Sequence, residues 1–290
     1  MLRVHKGRRG VIHSITSDEK MKQQLALTKR LLRLNIDIFY QYDMFHRYDI
    51  ITPVPAEYPE VIMEYLYETH MHTSEVSGCA DSSAAQQVAD YKKRGYTGII
   101  VTDHFINGYT SIRSKLPWDK KMRQFMTGYI EAKKVGVEYD LDVFLGWEFT
   151  IRGADLLTYG LDLDFLLANP GVDKFGFEAY SEIVRRNGGY LAQAHPYRNA
   201  YYIEHNYPVA AHLLDGVEVY NAMDSKAENE KALAYAKEHK LPMQAGTDSH
   251  RAGGYKYNGI KLDKKAESIG DIIEAIKTGN VTLIDHRKTF

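Results

Sequence analysis

Five short words in this sequence combine histidine with acidic residues: His70-Met71-His72, Thr102-Asp103-His104, Gly146-Trp147-Glu148, Ala194-His195-Pro196 and Asp248-Ser249-His250. Each follows a short apolar run, so each falls where a β-strand should end. His70 and His72 are two residues apart and would share one face of a strand, where both could grip one ion. Imidazole and carboxylate donors together suit Mn, Fe or Zn. A set this large holds too many donors for a single ion, which points to a hydrolase working with more than one metal.

The elements that must position these words alternate. Strand-like segments fall at residues 63–68, 98–102, 142–149, 156–161, 189–194, 216–219, 242–246 and 281–284. Helical patterns lie between them at 82–94, 118–135, 175–186, 226–239 and 268–278. Alternation of this kind implies a mostly parallel sheet. With no Gly-rich dinucleotide fingerprint, the expected architecture is α/β, a (β/α) TIM-like barrel or a distorted form of one rather than a doubly wound sheet. In such a barrel the carboxyl ends of the strands form one mouth, and all five words belong there.

The first 60 residues differ and read as an N-terminal helical and irregular extension packing on a barrel domain at 61–290. Residues 17–33 carry a helical apolar stripe behind a capping Ser17. Residues 51–59 hold three prolines and cannot be regular structure, so they read as a linker or strap.

At 290 residues and 44% hydrophobic the chain can bury a sizeable core. Its 37 Lys+Arg balance 38 Asp+Glu, so no basic excess points to nucleic acid. The one cysteine, Cys79, excludes an internal disulfide and fits a reducing cytoplasm. Spacing shows no basic group beside it, so it reads as no nucleophile. The basic first ten residues lack an apolar stretch behind them, and no run is long enough to span a membrane.

The order and local wording of these motifs, with Glu218-Val219-Tyr220-Asn221 added, resemble the PHP family, the polymerase and histidinol phosphatase domains. The resemblance covers residues 63–285. It implies a distorted barrel of seven βα units binding two or three divalent transition metals. By resemblance, His70, His72, Glu148 and Asp248 hold one metal. Glu148, bridging, and His195 hold a second, and His104 and His250 a third. Two positions depart from the family pattern. The residue after the His-x-His that completes the third site has three candidates here, Glu75, Ser77 and Asp81, of which Glu75 is preferred. Asp155 stands where a second-site histidine is usual.

The resemblance implies a metal-dependent phosphoesterase, a hydrolase of phosphoric monoesters or diesters. Its expected partner is a small phosphorylated metabolite, attacked by a metal-activated water, with no nucleic acid or membrane involved. Arg198 and Arg152 are expected to meet the phosphate, and Asp103 to hydrogen-bond a ligand imidazole. Two other readings remain. One is an amidohydrolase, which also opens with His-x-His. The other is a non-catalytic PHP-like binding module.

Overall fold

The computed structural model describes residues 64–113, 115–201, 203, 206–254 and 257–286, all within the unit Ile62–Phe290. The expectations for residues 1–60, their helix and their proline-rich strap, lie outside the described residues.

Nine strands form one sheet in the order β7-β6-β5-β4-β3-β2-β1-β8-β9. They span Tyr65–Met71 (β1), Gly98–Val101 (β2), Asp142–Ile151 (β3), Ala154–Tyr159 (β4), Tyr190–Gln193 (β5), Gly216–Asn221 (β6), Met243–Gly246 (β7), Gly259–Leu262 (β8) and Thr282–Ile284 (β9). The sheet curls until β7 meets β1. Asp248 N–H donates to His70 O at 2.8 Å, His72 N–H to Ser249 O at 2.9 Å, and Thr69 Oγ1 to Ala245 O at 2.9 Å. The result is the expected nearly closed α/β barrel.

It is less regular than a (β/α)7 repeat. β3 turns back into β4 through Arg152-Gly153, both with positive φ, 50° and 83°, the requirement of a tight two-residue hairpin. β4 therefore runs antiparallel to β3 and β5, and β8 and β9 add an antiparallel pair beyond β1. β8 is only four residues long with a lysine inside it, too short for its pattern to stand out.

The helices are Ala84–Lys93 (α1), Trp118–Phe125 (α2), Thr127–Tyr139 (α3), Leu163–Ala168 (α4), Phe177–Arg186 (α5), Lys226–His239 (α6) and Ile269–Thr278 (α7). Ser83, Ser225 and Ser268 each close a capping box with the residue three positions on, which is why these helices begin there. The single helix expected from residue 118 breaks at Met126 into α2 and α3.

Register sorts the two faces of β3 and β4. Gly146, Glu148 and Thr150 pair with Tyr159, Leu157 and Asp155. On the other face Trp147, Phe149 and Ile151 join Phe105, Phe125, Phe165 and Tyr180 in the largest apolar cluster. Tyr180 anchors it. Its ring stacks on Phe149 at 3.6 Å between centroids, and its hydroxyl accepts from Trp147 Nε1 at 2.7 Å and pairs with Thr158 Oγ1 at 2.8 Å. All four residues are fully buried. Tyr180→Phe leaves two buried polar groups without a partner, a cost of about 1–3 kcal/mol. Urea denaturation should show a lower midpoint at unchanged slope; an unchanged midpoint would count against this anchoring role.

Candidate metal centre

The barrel closure carries the site. β1 delivers His70 and His72, and the residues just past β7 deliver Asp248 and His250. A register shift interrupts β1 between Glu68 and Met71 and β6 between Glu218 and Tyr220; such bulges re-aim side chains beside functional sites. His195 and Asp248 have φ of 26° and 58°, a left-handed backbone that non-glycine residues hold only when the surroundings impose it.

Four groups of donor atoms converge: His70-His72-Glu148, His70-His195-Asp248, Glu148-Asp155-His195 and His72-His104-His250. His70 Nε2 stands 3.2 Å from His72 Nε2, 3.3 Å from Glu148 Oε1 and 3.4 Å from Asp248 Oδ1. His72 Nε2 stands 3.1 Å from Asp248 Oδ1 and 3.4 Å from Glu148 Oε2. Donors about 2.0–2.1 Å from a tetrahedral ion lie roughly 3.3 Å from one another. His195 Nε2 lies 3.2 Å from Glu148 Oε1 and 3.9 Å from Asp155 Oδ2.

The partners of the rings fix their tautomers. His70 Nδ1 faces Glu218 Oε1 at 3.1 Å, and a carboxylate only accepts, so the proton is on Nδ1. Ser77 Oγ donates its hydrogen to Asp103 Oδ1 at 2.7 Å. Toward His72 Nδ1, at 3.1 Å, it can therefore only accept. His250 Nδ1 meets the Asp248 carbonyl at 2.9 Å. In all three rings the Nε2 lone pair is left pointing into the mouth. For His70 and His72 those lone pairs face each other at contact distance, an arrangement that needs a proton or a cation between them.

The electrostatics agree. Burial works against charge on His70, but Asp248, Glu218 and Glu148 outweigh it and hold its pKa well above the usual value. Burial and the neighbouring His250 and His104 hold His72 well below. Burial alone would raise Glu148 and Asp248. The imidazoles of His104 and His70 pull Glu148 well below the carboxylate range, and His70 and Arg198 do the same for Asp248. The site thus gathers positive charge, and a metal binding there would displace a proton. Glu148 Oε2 and His104 Nδ1 are buried without a hydrogen-bond partner, 2.8 Å apart. A divalent cation fits those two atoms, where no hydrogen bond does.

Of the residues singled out from sequence, the structure gathers His70, His72, His104, Glu148, Asp155, His195, Asp248 and His250. Asp155 begins β4 rather than ending a strand. Because β4 runs antiparallel, its first residues lie beside the last residues of β3, opposite Thr150, whose hydroxyl donates to it at 2.6 Å.

Three residues are placed elsewhere than expected. Glu75 accepts from Ala84 N–H at 3.0 and 3.1 Å, tied to the first turn of α1 and outside every donor group. Arg198 is committed to protein partners beside the mouth. Its Nε, Nη1 and Nη2 donate to Asp224 at 2.7 Å, Asp248 Oδ2 at 2.6 Å and Asn221 at 2.8 Å. Asp103 meets no imidazole directly; it accepts from Thr73 N, Thr73 Oγ1 and Ser77 and acts on His72 through Ser77. Arg152 stands exposed at the β3–β4 hairpin tip, roughly 13 Å past Glu148 at about 3.4 Å per residue.

The sequence reading quoted Glu218 within a motif but gave it no role, and it missed Glu68 and the setting of Cys79. Glu68 accepts from His70 N–H and Thr247 N–H at 2.8 Å each and from Tyr91 OH at 2.7 Å, clamping β1 to the end of β7; burial raises it to about 7. Glu218 accepts from His70 Nδ1, from His195 N–H at 3.1 Å and from Asn221 Nδ2 at 2.8 Å. Its signal was a carboxylate inside the apolar run of β6, where an acidic residue is kept only if partnered. Burial opposes ionisation of Cys79, but His104 and His250 beside it draw the thiol down to about 7. A cavity of about 450 Å³ lies at the opposite ends of β3 and β4, lined by Val143, Leu145, Leu161 and Tyr129 among others, and holds none of these donors.

Residues 226–281 match the PHP-associated family model. A search of curated proteins finds no match. Among solved structures, the chain is similar to a two-domain protein from Bacteroides vulgatus described as containing a predicted PHP-like metal-dependent phosphoesterase. The TM-score is 0.61 at 15% identity, covering 79% of this chain and 68% of that one. PsfC from Pseudomonas syringae gives 0.49 at 16% identity, covering 72% and 88%. An amidohydrolase from Chromobacterium violaceum gives 0.47 at 13%, covering 77% and 99%. The match over residues 226–281 likens that segment to PHP-associated proteins, and the solved structure from Bacteroides vulgatus shows the same fold.

Glu218 orients His70 and so should govern metal affinity. Glu218→Gln is expected to weaken metal binding about 10–100-fold, the usual effect of losing a carboxylate behind a ligand histidine. Isothermal titration with Mn or Zn checks this, with circular dichroism to establish an intact fold. Unchanged affinity would rule out the orienting role.

Proposed function

We propose that this chain is a metal-dependent phosphoesterase that hydrolyses a small phosphorylated molecule. The observation that carries the reading is the convergence of two histidine Nε2 lone pairs, those of His70 and His72, with Glu148 and Asp248 oxygens at 3.1–3.4 Å separations. The PHP-associated match over residues 226–281 and the fold shared with a PHP-like protein support the coarser class, a metal-dependent hydrolase. In this reading His70, His72, Glu148 and Asp248 hold one ion. Glu148, Asp155 and His195 hold a second, and His104 and His250 a third. Bound divalent ions would lower the pKa of a water and clamp the attacking and leaving oxygens of an in-line displacement.

The protein's own residues prepare that site. Glu218 and Ser77 hold the Nδ1 protons of His70 and His72, so both rings present a lone pair. Asp103 fixes Ser77. Arg198 holds the outer oxygen of Asp248 and is a positioning residue, not a phosphate ligand. Arg152 has no ion-pair partner among the described residues and is the group left to meet a phosphate oxygen.

The test is hydrolysis of a panel of phosphate monoesters and diesters, with amides and carboxylic esters alongside, under added Mn, Fe or Zn. Phosphate esters should be cleaved, and Asp248→Ala and His70→Ala should abolish turnover in folded protein. Arg152→Ala should lose roughly 10–150-fold in kcat/KM, the equivalent of a charge-assisted hydrogen bond of about 1.5–3 kcal/mol, with its metals retained. Turnover of amides without phosphate esters would replace this reading with the amidohydrolase one.

A further inference from the structure

α1 carries two adjacent glutamines with different surroundings. Gln86 is exposed and closes the capping box with Ser83. Gln87 is fully buried, on a stripe it shares with Ala84, Val88 and Tyr91. Such a stripe is the apolar face of a helix against a core, and nothing in that packing calls for an amide. A buried amide is costly unless its hydrogen bonds are made. Those of Gln87 go to two ligand-bearing words. Nε2 donates to the His72 carbonyl at 3.0 Å and to the Ser249 carbonyl at 3.1 Å. Carbonyls only accept, so both amide hydrogens are committed there. Oε1 accepts from Ser249 Oγ at 3.2 Å.

His72 ends the first word, and Ser249 lies between Asp248 and His250 in the last. The two segments already touch through the backbone: Met71 and Ser249 form a parallel bridge, and His72 N–H donates to Ser249 O. Their side chains meet just beyond. His72 Nε2 stands 3.1 Å from Asp248 Oδ1, and the His72 and His250 rings stack at 4.3 Å between centroids. The segment leading into α1 adds to the grip, with Asp81 and Ser82 N–H donating to the His250 carbonyl at 2.8 and 3.3 Å. The donors of the second position, Glu148, Asp155 and His195, arrive instead on β3, β4 and just past β5.

We propose that Gln87 is a positioning residue of this site. By holding the His72 and Ser249 carbonyls together it sets the approach of His72 to Asp248 and His250, and with it the affinity of the ions that His72 serves. The inference rests on reading the barrel mouth as a metal centre. Gln87 acts through the backbone and not as a ligand, and the position built without His72 is independent of it.

Gln87→Met keeps the side-chain length and suits the apolar stripe but lacks the amide. Manganese(II) is titrated into metal-stripped protein, with circular dichroism to establish the fold, and crystals grown at limiting manganese are measured across its absorption edge. Gln87→Met should bind about 10–100-fold more weakly wherever His72 takes part, the usual loss when a group behind the ligands is removed. At limiting metal the anomalous peak among Glu148, Asp155 and His195 should persist while the one beside His70 and His72 fades. Ser249→Ala removes only the bond to Oε1, so its loss should be smaller, and added to Gln87→Met it should cost nothing more. Wild-type affinity in folded Gln87→Met, or an equal loss at every position, overturns the role of Gln87 and leaves the metal centre standing. Should Gln87→Met fail to fold, Ser249→Ala decides, and unchanged affinity in that variant overturns the proposal. Wild-type protein that binds no manganese overturns this inference and the metal-centre reading together.

Discussion

Burying acids and imidazoles together at one end of a barrel is the constraint on which the rest of this structure depends. Glu148, Asp248, His70 and His72 are almost completely removed from water. Isolated charges of that kind are costly to bury unless paired. Here the negative oxygens are paired with imidazoles, and the imidazoles in turn with one another and with Glu218. The opposite shifts of His70 and His72 express one fact: the pair shares a place for positive charge. A divalent cation satisfies that place better than a proton, because it meets all the lone pairs at once.

The scaffold is arranged to hold this charge cluster still. Glu68 ties His70 and Thr247 together, so the strand that opens the site and the one that closes it cannot move apart independently. Bulges in β1 and β6 and left-handed residues at His195 and Asp248 depart from regular geometry only where a side chain must be aimed. Strain of this sort costs of order 1–3 kcal/mol per residue and persists where the surroundings over-determine it. Gly246 is part of the same arrangement. A Cβ there would come within 2.5 Å of Glu218 Oε1 and 2.6 Å of the His70 Cβ, so only glycine lets β7 approach the His70–Glu218 pair.

Much of this was legible in the sequence because strand-end motifs are local. His70-x-His72 after an apolar run, or Asp248-x-His250 after another, needs no knowledge of the fold to suggest a metal mouth, and the helical patterns at 82–94, 226–239 and 268–278 fall on α1, α6 and α7. What was not legible depended on direction and distance. The Arg152-Gly153 hairpin reverses β4, which brings Asp155 to the mouth from the start of a strand. Arg198 is three residues past His195, yet Asp224 and Asn221, far along the chain, claim its guanidinium. Glu75 and Cys79 sit on the same short loop. The first turn of α1 claims the Glu75 carboxylate, a bond that spacing does not reveal.

The central claim, that the barrel mouth is a metal centre, is tested most directly by X-ray diffraction from crystals grown with Mn, Fe or Zn, with data collected on either side of each metal's absorption edge. The account predicts anomalous peaks inside the cluster, one flanked by His70, His72, Glu148 and Asp248 and one by Glu148, Asp155 and His195. Well-ordered density for these side chains with no anomalous peak among them would contradict it.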